Sequence, residues 1–214
     1  DVALSETERT RGRALATALS TRVLSRTWQM LLKGIAETQG SGGVGTCCVQ
    51  LAKLAGCEVI ACASSAAKLE RLQSLGADHL LDYTQHKLTD WVFEKYGKPH
   101  RRFYTRGVDV VVNFTGGDTW VPSLRILHRQ GRMLTCGATA GFDPKEDIRY
   151  IWTFELQILG SNGWMREDIE QLFELVASRK LKPVVDRTFS LDEVNDAFDV
   201  LEQRNVFGKV VVKP

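Results

Sequence analysis

The sequence predicts an α/β fold, a doubly wound parallel sheet, and two observations support this class. A glycine-rich cluster at residues 40–45 immediately precedes a helical pattern, and short helices and strands alternate after it. Glycines that open a helix let the backbone approach a pyrophosphate closely and direct free N–H groups at it. The match to G-x-G-x-x-G is weak alone, but the following order of elements is that of a Rossmann-type dinucleotide-binding βαβ unit. We therefore assign to cofactor binding Gly40, Gly42, Gly43, Val44 and Gly45.

Hydrophobic periodicity predicts the elements that follow the glycines. One apolar helix face is formed by residues at helical spacing, namely Val44, Cys48, Leu51, Ala52 and Ala55. Gly56 is typical of a helix end. The apolar run 58–63 is too continuous for a half-exposed strand, so we expect it to be buried on both faces. A second helix is predicted over 66–75 and a second strand over 79–83.

The second half of the chain extends the same pattern. Further strands are predicted over 108–114, 131–136 and 156–159, with a helix over 121–127. The remaining predicted elements are an amphipathic helix around 169–181, a strand over 184–189, a capping box at 190–193 before a helix over 194–204, and a strand over 207–212. In an open sheet of this kind, the ligand site lies at the carboxyl ends of the strands.

The residues after the 58–63 strand indicate which dinucleotide would bind. NAD sites of this type carry an acidic residue about twenty positions after the glycines, which accepts from the ribose 2′-hydroxyl. Here Ser64 and Ser65 occupy that place, and Lys68 follows one helical turn later. Small hydroxyl groups and a cation suit a 2′-phosphate, so we predict NADP(H). An alternative, compatible with the first, is that the serines cap the next helix and Lys68 is a solvated surface charge.

From about residue 40 to its end, the chain resembles the medium-chain dehydrogenase/reductase superfamily. It is most similar to the quinone-oxidoreductase-like branch, often labelled zinc-type alcohol dehydrogenases. The resemblance is carried by Gly42-Gly43-Val44-Gly45-Thr46, Val49-Gln50-Leu51-Ala52-Lys53, Leu75-Gly76-Ala77-Asp78-His79, Gly107-Val108-Asp109-Val110-Val111-Val112-Asn113, Cys136-Gly137-Ala138-Thr139 and Gly208-Lys209-Val210-Val211. It implies that the NADP 2′-phosphate is held at positions matching Ser64, Lys68 and Tyr83. It also implies that the nicotinamide half lies near Asn113, Gly137 and Asn162.

One departure from the family pattern precedes the glycines. A buried apolar strand normally runs into the glycine loop, but residues 28–39 contain no such run. We therefore expect the first strand to be missing. Residues 30–35 are a candidate short substitute, although Lys33 and Gly34 fit poorly in the centre of a sheet.

A second departure concerns domain organisation. Members of the family carry a large N-terminal catalytic domain, whereas residues 1–39 alone precede the glycines here. We expect three parts: an N-terminal helical remnant over 1–33, a dinucleotide-binding Rossmann domain over 34–162, and a C-terminal segment over 163–214. The strands of that last segment would belong to the absent catalytic domain. Left as exposed apolar edges, they would favour pairing with another chain, so we expect a homo-oligomer.

Composition excludes several function classes. The formal net charge of +2 gives no electrostatic case for nucleic acid or a membrane surface as partner. No apolar run approaches the roughly 18 residues that a membrane span needs. The five cysteines are scattered without C-x-x-C spacing, and no histidine pair has helical metal-ligand spacing, so we predict no metal. We expect a reducing, cytoplasmic location.

Two function classes remain open at this point. The first is an NADP(H)-dependent oxidoreductase, or its cofactor-binding portion, acting on a quinone, enone, carbonyl or alcohol. The second is a catalytically inactive remnant that serves as a binding or interaction module. The sequence identifies no catalytic acid or base, and the substrate would be selected by the missing domain.

Overall fold

The computed structural model describes residues 35–163 and 165–214, with side chains described from Gly40 onward. The strands of the main sheet are β1 (Ile35–Gln39), β2 (Glu58–Ala63), β3 (His79–Asp82), β4 (Val108–Val112), β5 (Leu127–Thr135) and β6 (Gln157–Gly160). All are parallel, in the spatial order β3-β2-β1-β4-β5-β6. This arrangement confirms the predicted doubly wound sheet. The helical remnant predicted over 1–33 lies outside the described residues.

Helices cover the sheet and follow the strands in alternation. They are α1 (Gly43–Leu54), α2 (Ala66–Ser74), α3 (Leu88–Tyr96), α4 (Trp120–Ile126), α5 (Arg149–Thr153), α6 (Arg166–Ala177) and α7 (Val194–Glu202). Short 3-10 turns precede α4 and α7, at Gly117–Thr119 and Leu191–Glu193. The predicted capping box is present, since the Glu193 carboxylate accepts from both the backbone N–H and the hydroxyl of Ser190 at 2.9 Å.

The strand that the sequence indicated to be missing is present, so that expectation is wrong. β1 lies at the centre of the sheet, with Ile35 to Gln39 in register with Glu58 to Cys62 of β2, and its other edge pairs with β4. The backbone N–H of Gly40 extends this pairing by donating to the carbonyl of Cys62 at 3.0 Å. Because backbone hydrogen bonds on both edges define the strand, it does not require the continuous apolar run that we sought.

Strand β2 shows why both faces of the sheet are buried. Val59 and Ala61 pack into a cluster with Leu72 of α2, whereas Ile60 packs into the opposite cluster with Met133 of β5. Every residue of β2 except Glu58 is buried. The prediction that the run 58–63 is a strand covered on both faces is therefore confirmed.

The segment 127–135 differs from the prediction, which placed the end of a helix at residue 127 and a strand only from 131. The backbone of Leu127 is already extended (φ −70°, ψ 133°), and the residue pairs with Val108. The register between β4 and β5 then shifts between Val108 and Val110, and Gln130 has a positive φ of 64°. Residues 128–130, in this irregular part of the strand, are polar. A search for apolar runs therefore does not detect the first part of β5.

The two late strands form a small sheet of their own. β7 (Val185–Ser190) pairs in parallel with β8 (Lys209–Lys213), and among the described strands neither has a second strand as partner, so both are edge strands. A further parallel bridge joins Gly208, just before β8, to Gly42 of the glycine cluster. The C-terminal segment is thereby attached directly to the predicted cofactor loop.

Side-chain contacts also anchor the C-terminal segment on α1. Leu175 and Leu181 are buried in one cluster with Leu51 of α1. The Gln50 side chain donates to the carbonyl of Lys182 at 3.0 Å and accepts from its backbone N–H at 2.8 Å. The segment therefore packs on the dinucleotide-binding part of the chain through apolar contacts and a two-way hydrogen bond.

Candidate functional site

The turn from β1 into α1 has the geometry of an anion site. Gly42 is the N-cap of α1 in extended conformation, with no side chain capping the helix, and no acidic residue lies in the first turn. The first N–H groups of this twelve-residue helix are thus left without a side-chain acceptor. Together with the helix dipole, such groups favour a phosphate at this position.

The three glycines of the turn have different steric roles. A Cβ on Gly40 would lie 2.6 Å from a methyl carbon of the buried Leu72, so this glycine permits close packing of the turn on α2. A Cβ on Gly42 would meet nothing within 4 Å, whereas one on Gly43 would lie 2.2 Å from Cε of Lys209. The side chain of Lys209, in β8, therefore lies directly against Gly43.

Val44 was assigned to the apolar helix face, and this is wrong. Its side chain is 38% exposed, while Cys48 and Leu51, one and two turns later, are buried. Gly45 and Thr46 of the same turn are buried, so the first turn packs on the protein through these residues and not through Val44. An exposed Val44 remains compatible with a place beside a bound cofactor, as does Gly45, which is buried in the same turn.

The predicted 2′-phosphate residues lie at the ends of β2 and β3. Ser65 is the N-cap of α2, its hydroxyl accepting from the backbone N–H of Lys68 at 3.5 Å, which confirms the capping interpretation for this serine. Lys68 donates from Nζ to the carbonyl of Arg204 at 2.9 Å. An ammonium has three N–H donors, so this contact leaves two for a phosphate. Ser64 is half-buried beside them, and Tyr83 is 55% exposed.

A cavity of about 560 Å³ opens beside Tyr83. Its wall includes Ser41, Gly42, Cys62, Tyr83, Phe114 and Thr115. These residues follow or end β1, β2, β3 and β4, so the cavity lies at the carboxyl edge of the sheet, where ligands bind in open α/β folds. Its mostly apolar wall suits a flat heteroaromatic ring next to the glycine turn.

A second cavity, of about 650 Å³, lies at the ends of β5 and β6. It is lined by Thr135, Cys136, Gly137, Gly160, Ser161 and Asn162. The backbone N–H of Ser161 donates to the carbonyl of Thr135 at 2.9 Å, which holds the two strand ends together. The Ser161 hydroxyl is buried without a hydrogen-bond partner among the described residues. A buried hydroxyl in that state fits a polar ligand group in this cavity.

Asn113 was predicted to lie near the nicotinamide, and the structure gives its side chain another use. The residue is buried at 1% exposure. Its amide nitrogen donates to the hydroxyls of Thr119 (3.0 Å) and Ser123 (2.9 Å), and its oxygen accepts from the N–H groups of Thr115 (3.0 Å) and Gly116 (2.9 Å). Asn113 therefore shapes the loop after β4, whose residue Thr115 lines the first cavity.

The electrostatics of the site give no activated thiol at Cys47, Cys48 or Cys136. Burial raises the pKa of Cys48, Cys47 and Cys136; for Cys47, the nearby Lys209 opposes this effect without cancelling it. A thiol with a raised pKa is protonated at neutral pH and is a poor nucleophile. Residues 35–163 and 165–214 also contain no group of three or more histidine, cysteine or acidic side chains arranged to hold a metal ion.

Two residues beside the glycine turn and the first cavity were not singled out from the sequence as candidate site residues. Lys209 is remote along the chain from the glycines, and its only signal was its place in the Gly208-Lys209-Val210-Val211 motif. Phe114 was included in a predicted strand and lies at the cavity wall instead. Lys209 lies on the glycine turn because the C-terminal segment pairs with that turn. A local sequence pattern does not report pairing between distant segments.

Comparisons with known proteins give two family models that match parts of the chain. The model for the family described as zinc-binding dehydrogenase matches residues 43–178. A second model, for domain III of the gamma and tau subunits of DNA polymerase III, matches residues 1–48, most of which lie outside the described part of the chain.

Individual relatives have related activities. The chain is 32% identical to the chloroplastic NADPH-dependent alkenal/one oxidoreductase of Arabidopsis thaliana, over 95% of this chain and 46% of that protein. It is 34% identical to the 2-methylene-furan-3-one reductase of Solanum lycopersicum, over 85% of this chain and 40% of that protein. A crystal structure of an NAD-dependent alcohol dehydrogenase matches with a TM-score of 0.76 and 30% identity, over 93% of this chain and 57% of that chain. The chain thus spans about half the length of these relatives.

Proposed function

The chain belongs to the zinc-binding dehydrogenase family, and we propose that it is the cofactor-binding part of an NADP(H)-dependent oxidoreductase. One observation carries the proposal: the uncapped glycine turn and the carboxylate-free end of β2 lie side by side. The hydrogen bond from Gly40 N–H to the Cys62 carbonyl (3.0 Å) holds them together. A diphosphate at the turn would therefore place an adenosine ribose next to Ser64 and Ser65.

The choice of NADP(H) over NAD(H) depends on Lys68 and the two serines. The relatives include both NADPH-dependent and NAD-dependent enzymes, so their names support a nicotinamide cofactor without selecting one. In this chain no aspartate or glutamate occupies residues 63–68, and Lys68, in the first turn of α2, donates from its ammonium to the Arg204 carbonyl. A cation favours a 2′-phosphate, whereas the ribose hydroxyl of NAD is usually bound by a carboxylate.

The two cavities divide the proposed cofactor between them. The first, beside Tyr83, would hold the adenine, and the second, beside Gly137 and Asn162, would hold the nicotinamide. The nicotinamide supplies the hydride chemistry when bound, and the protein positions it. The relatives named above reduce enones or oxidise alcohols, so we propose a quinone, enone, carbonyl or alcohol as substrate. No catalytic residue is assigned.

Cofactor selectivity can be measured by thermal unfolding. NADPH at a hundredfold excess over its Kd is expected to stabilise the protein by about 2.7 kcal/mol, visible as a rise in melting temperature. NADH at the same concentration is expected to give a smaller rise, because it lacks the phosphate that Lys68 would bind. AMP, without the nicotinamide and the 2′-phosphate, serves as the control ligand. If neither NADPH nor NADH raises the melting temperature, the result would favour the alternative, a catalytically inactive remnant.

We also propose that the chain forms a homo-oligomer. β6 is the last strand of the main sheet and pairs only with β5 among the described strands, and its Ile158 is 36% exposed. An open edge with an apolar side chain is a template for pairing with another chain. Multi-angle light scattering is expected to give a mass of at least two chains, and a monodisperse monomer would contradict the proposal.

No helix in the described residues is long and apolar enough to cross a membrane.

A further inference from the structure

The connection between α3 and β4 is strongly basic. Residues 95–108 contain five lysine or arginine residues and no aspartate or glutamate. The five are Lys95, Lys98, Arg101, Arg102 and Arg106. The formal net charge of +2 averages this segment with the rest of the chain, so it does not exclude an anionic surface as a partner at this place.

The loop 97–107 protrudes from the protein. Every residue from His100 to Arg106 is exposed, whereas Pro99 before them and Gly107 after them are buried. The N–H of Gly107 donates to the carbonyl of Tyr96 at 3.4 Å, which closes the loop at its base. A loop with a closed base and an exposed tip presents its side chains on a convex surface.

Contacts within the loop hold several of these side chains in place. The N–H of Phe103 donates to the carbonyl of His100 at 3.0 Å, and the centroids of their rings lie 5.0 Å apart. The Arg106 guanidinium lies over the Phe103 ring at 5.5 Å, and the Arg129 guanidinium lies over the Tyr104 ring at 4.9 Å. Basic and aromatic groups are thus arranged before any partner arrives, which lowers the entropic cost of binding.

The cations of the loop lack carboxylate partners. At the amino ends of β2 and β4, and just before β6, the acidic side chains form pairs with other basic groups, namely Glu58–His79, Asp109–His128 and Glu155–Arg129. None of the nine ion pairs among the described residues includes Lys98, Arg101, Arg102 or Arg106. Their positive charge is therefore available to an anionic partner.

We propose that the loop 97–107 docks on the anionic headgroup surface of a lipid bilayer. The negative potential of such a surface attracts clustered lysines and arginines, and aromatic side chains beside them enter the interface. Phe103 and Tyr104, each 49% exposed, stand among the four cations in this way. A single-stranded nucleic acid is typically bound in a groove lined by cations and aromatic rings, and a protruding loop suits a flat surface better.

The position of the loop keeps docking separate from the proposed cofactor site. The loop enters the amino end of β4, whereas the two cavities lie at the carboxyl ends of the strands. In a parallel sheet these are opposite edges, so a bilayer under the loop would leave both cavities open. The inference therefore does not depend on the proposed function.

Co-sedimentation of the full chain with vesicles tests the proposal. The chain is expected to bind phosphatidylcholine vesicles that contain phosphatidylserine and not vesicles of phosphatidylcholine alone. Arg101→Gln combined with Arg102→Gln should weaken binding about 25-fold, since each cation near an anionic surface contributes about fivefold. Arg179→Gln combined with Lys180→Gln removes the same charge from an adjacent exposed pair after α6 and should bind as the unmodified chain does.

Two further measurements separate charge from apolar contact. Raising sodium chloride from about 0.1 M to about 1 M shortens the Debye length from about 10 Å to about 3 Å and should release the unmodified chain. Phe103→Ser removes apolar contact without removing charge and should weaken binding severalfold. Equal binding to both kinds of vesicle, binding that salt does not weaken, or equal loss in the two double variants would overturn the proposal. Tighter binding of poly-U RNA than of the anionic vesicles would overturn it in favour of a nucleic acid.

Discussion

Replacing Gly208 with alanine is expected to lower the free energy of unfolding by about 2–4 kcal/mol and to weaken NADPH binding together with it. Gly208 has a φ of 95°, which L side chains rarely adopt. A Cβ there would also lie 2.4 Å from the backbone carbonyl oxygen of Val184, which a change of rotamer does not relieve. Relief requires movement of the backbone just before β7 or just before β8.

That movement would reach the cofactor loop. The N–H of Gly208 is hydrogen-bonded to the carbonyl of Ser41 at 2.9 Å, and Lys209 follows directly on the glycine turn. Displacing residue 208 therefore separates the C-terminal segment from Gly42 and Gly43. Stability is measured by urea unfolding and affinity by titration with NADPH.

Gly56→Ala is the matched control for the Gly208 variant. Gly56 has a similar positive φ of 79°, but a Cβ there would meet nothing within 4 Å. It is expected to cost about 1 kcal/mol from backbone conformation alone, and to leave the Kd of NADPH unchanged. If the two variants lowered the free energy of unfolding equally, the backbone near Val184 would move at little cost in free energy, contrary to our expectation.

The parts of the fold that could be predicted are those in which side-chain hydrophobicity and backbone pairing agree. β2 is buried on both faces and has a continuous apolar sequence, so its predicted and observed limits coincide at Glu58–Ala63. The capping box before α7 was recognised because all its hydrogen bonds are made within four residues, Ser190 to Glu193. Such local signals do not depend on the rest of the fold.

β1 shows the opposite case. Its sequence, Ile-Ala-Glu-Thr-Gln, has neither a buried run nor strict alternation, yet it lies between β2 and β4 in the centre of the sheet. The hydrogen bonds that define it come from two other strands, and a local pattern does not report them. The same holds for the site. The glycines and Ser65 were recognised from nearby residues, whereas the place of Lys209 depends on contact with a distant segment. The internal role of Asn113 comes from hydrogen bonds to residues 115–123, which a hydrophobicity pattern does not report.

Asn113→Ala is expected to be the second strongly destabilising change, lowering the free energy of unfolding by about 2–4 kcal/mol. The variant removes two donors and an acceptor from a site with 1% exposure, and the N–H of the buried Gly116 loses the oxygen that lies 2.9 Å away. The backbone of Gly116 is closely packed, since a Cβ there would lie 2.3 Å from the carbonyl oxygen of Gly141, and its φ is 68°. Its N–H therefore has little freedom to turn towards another acceptor. The loop after β4 would therefore lose its fixed shape.

The changed shape of this loop should also weaken cofactor binding indirectly. Thr115 and Thr119, both hydrogen-bonded to Asn113, line the first cavity, so we expect weaker NADPH binding in proportion to the loss of stability. Asn162→Ala is the matched control, because Asn162 is exposed at the second cavity. That variant should retain the melting temperature of the unmodified chain and weaken NADPH while leaving 2′-AMP unaffected. If Asn113→Ala instead kept full stability and lost only NADPH, Asn113 would act as a direct cofactor ligand, as first predicted from the resemblance, and the loop-shaping role would be wrong.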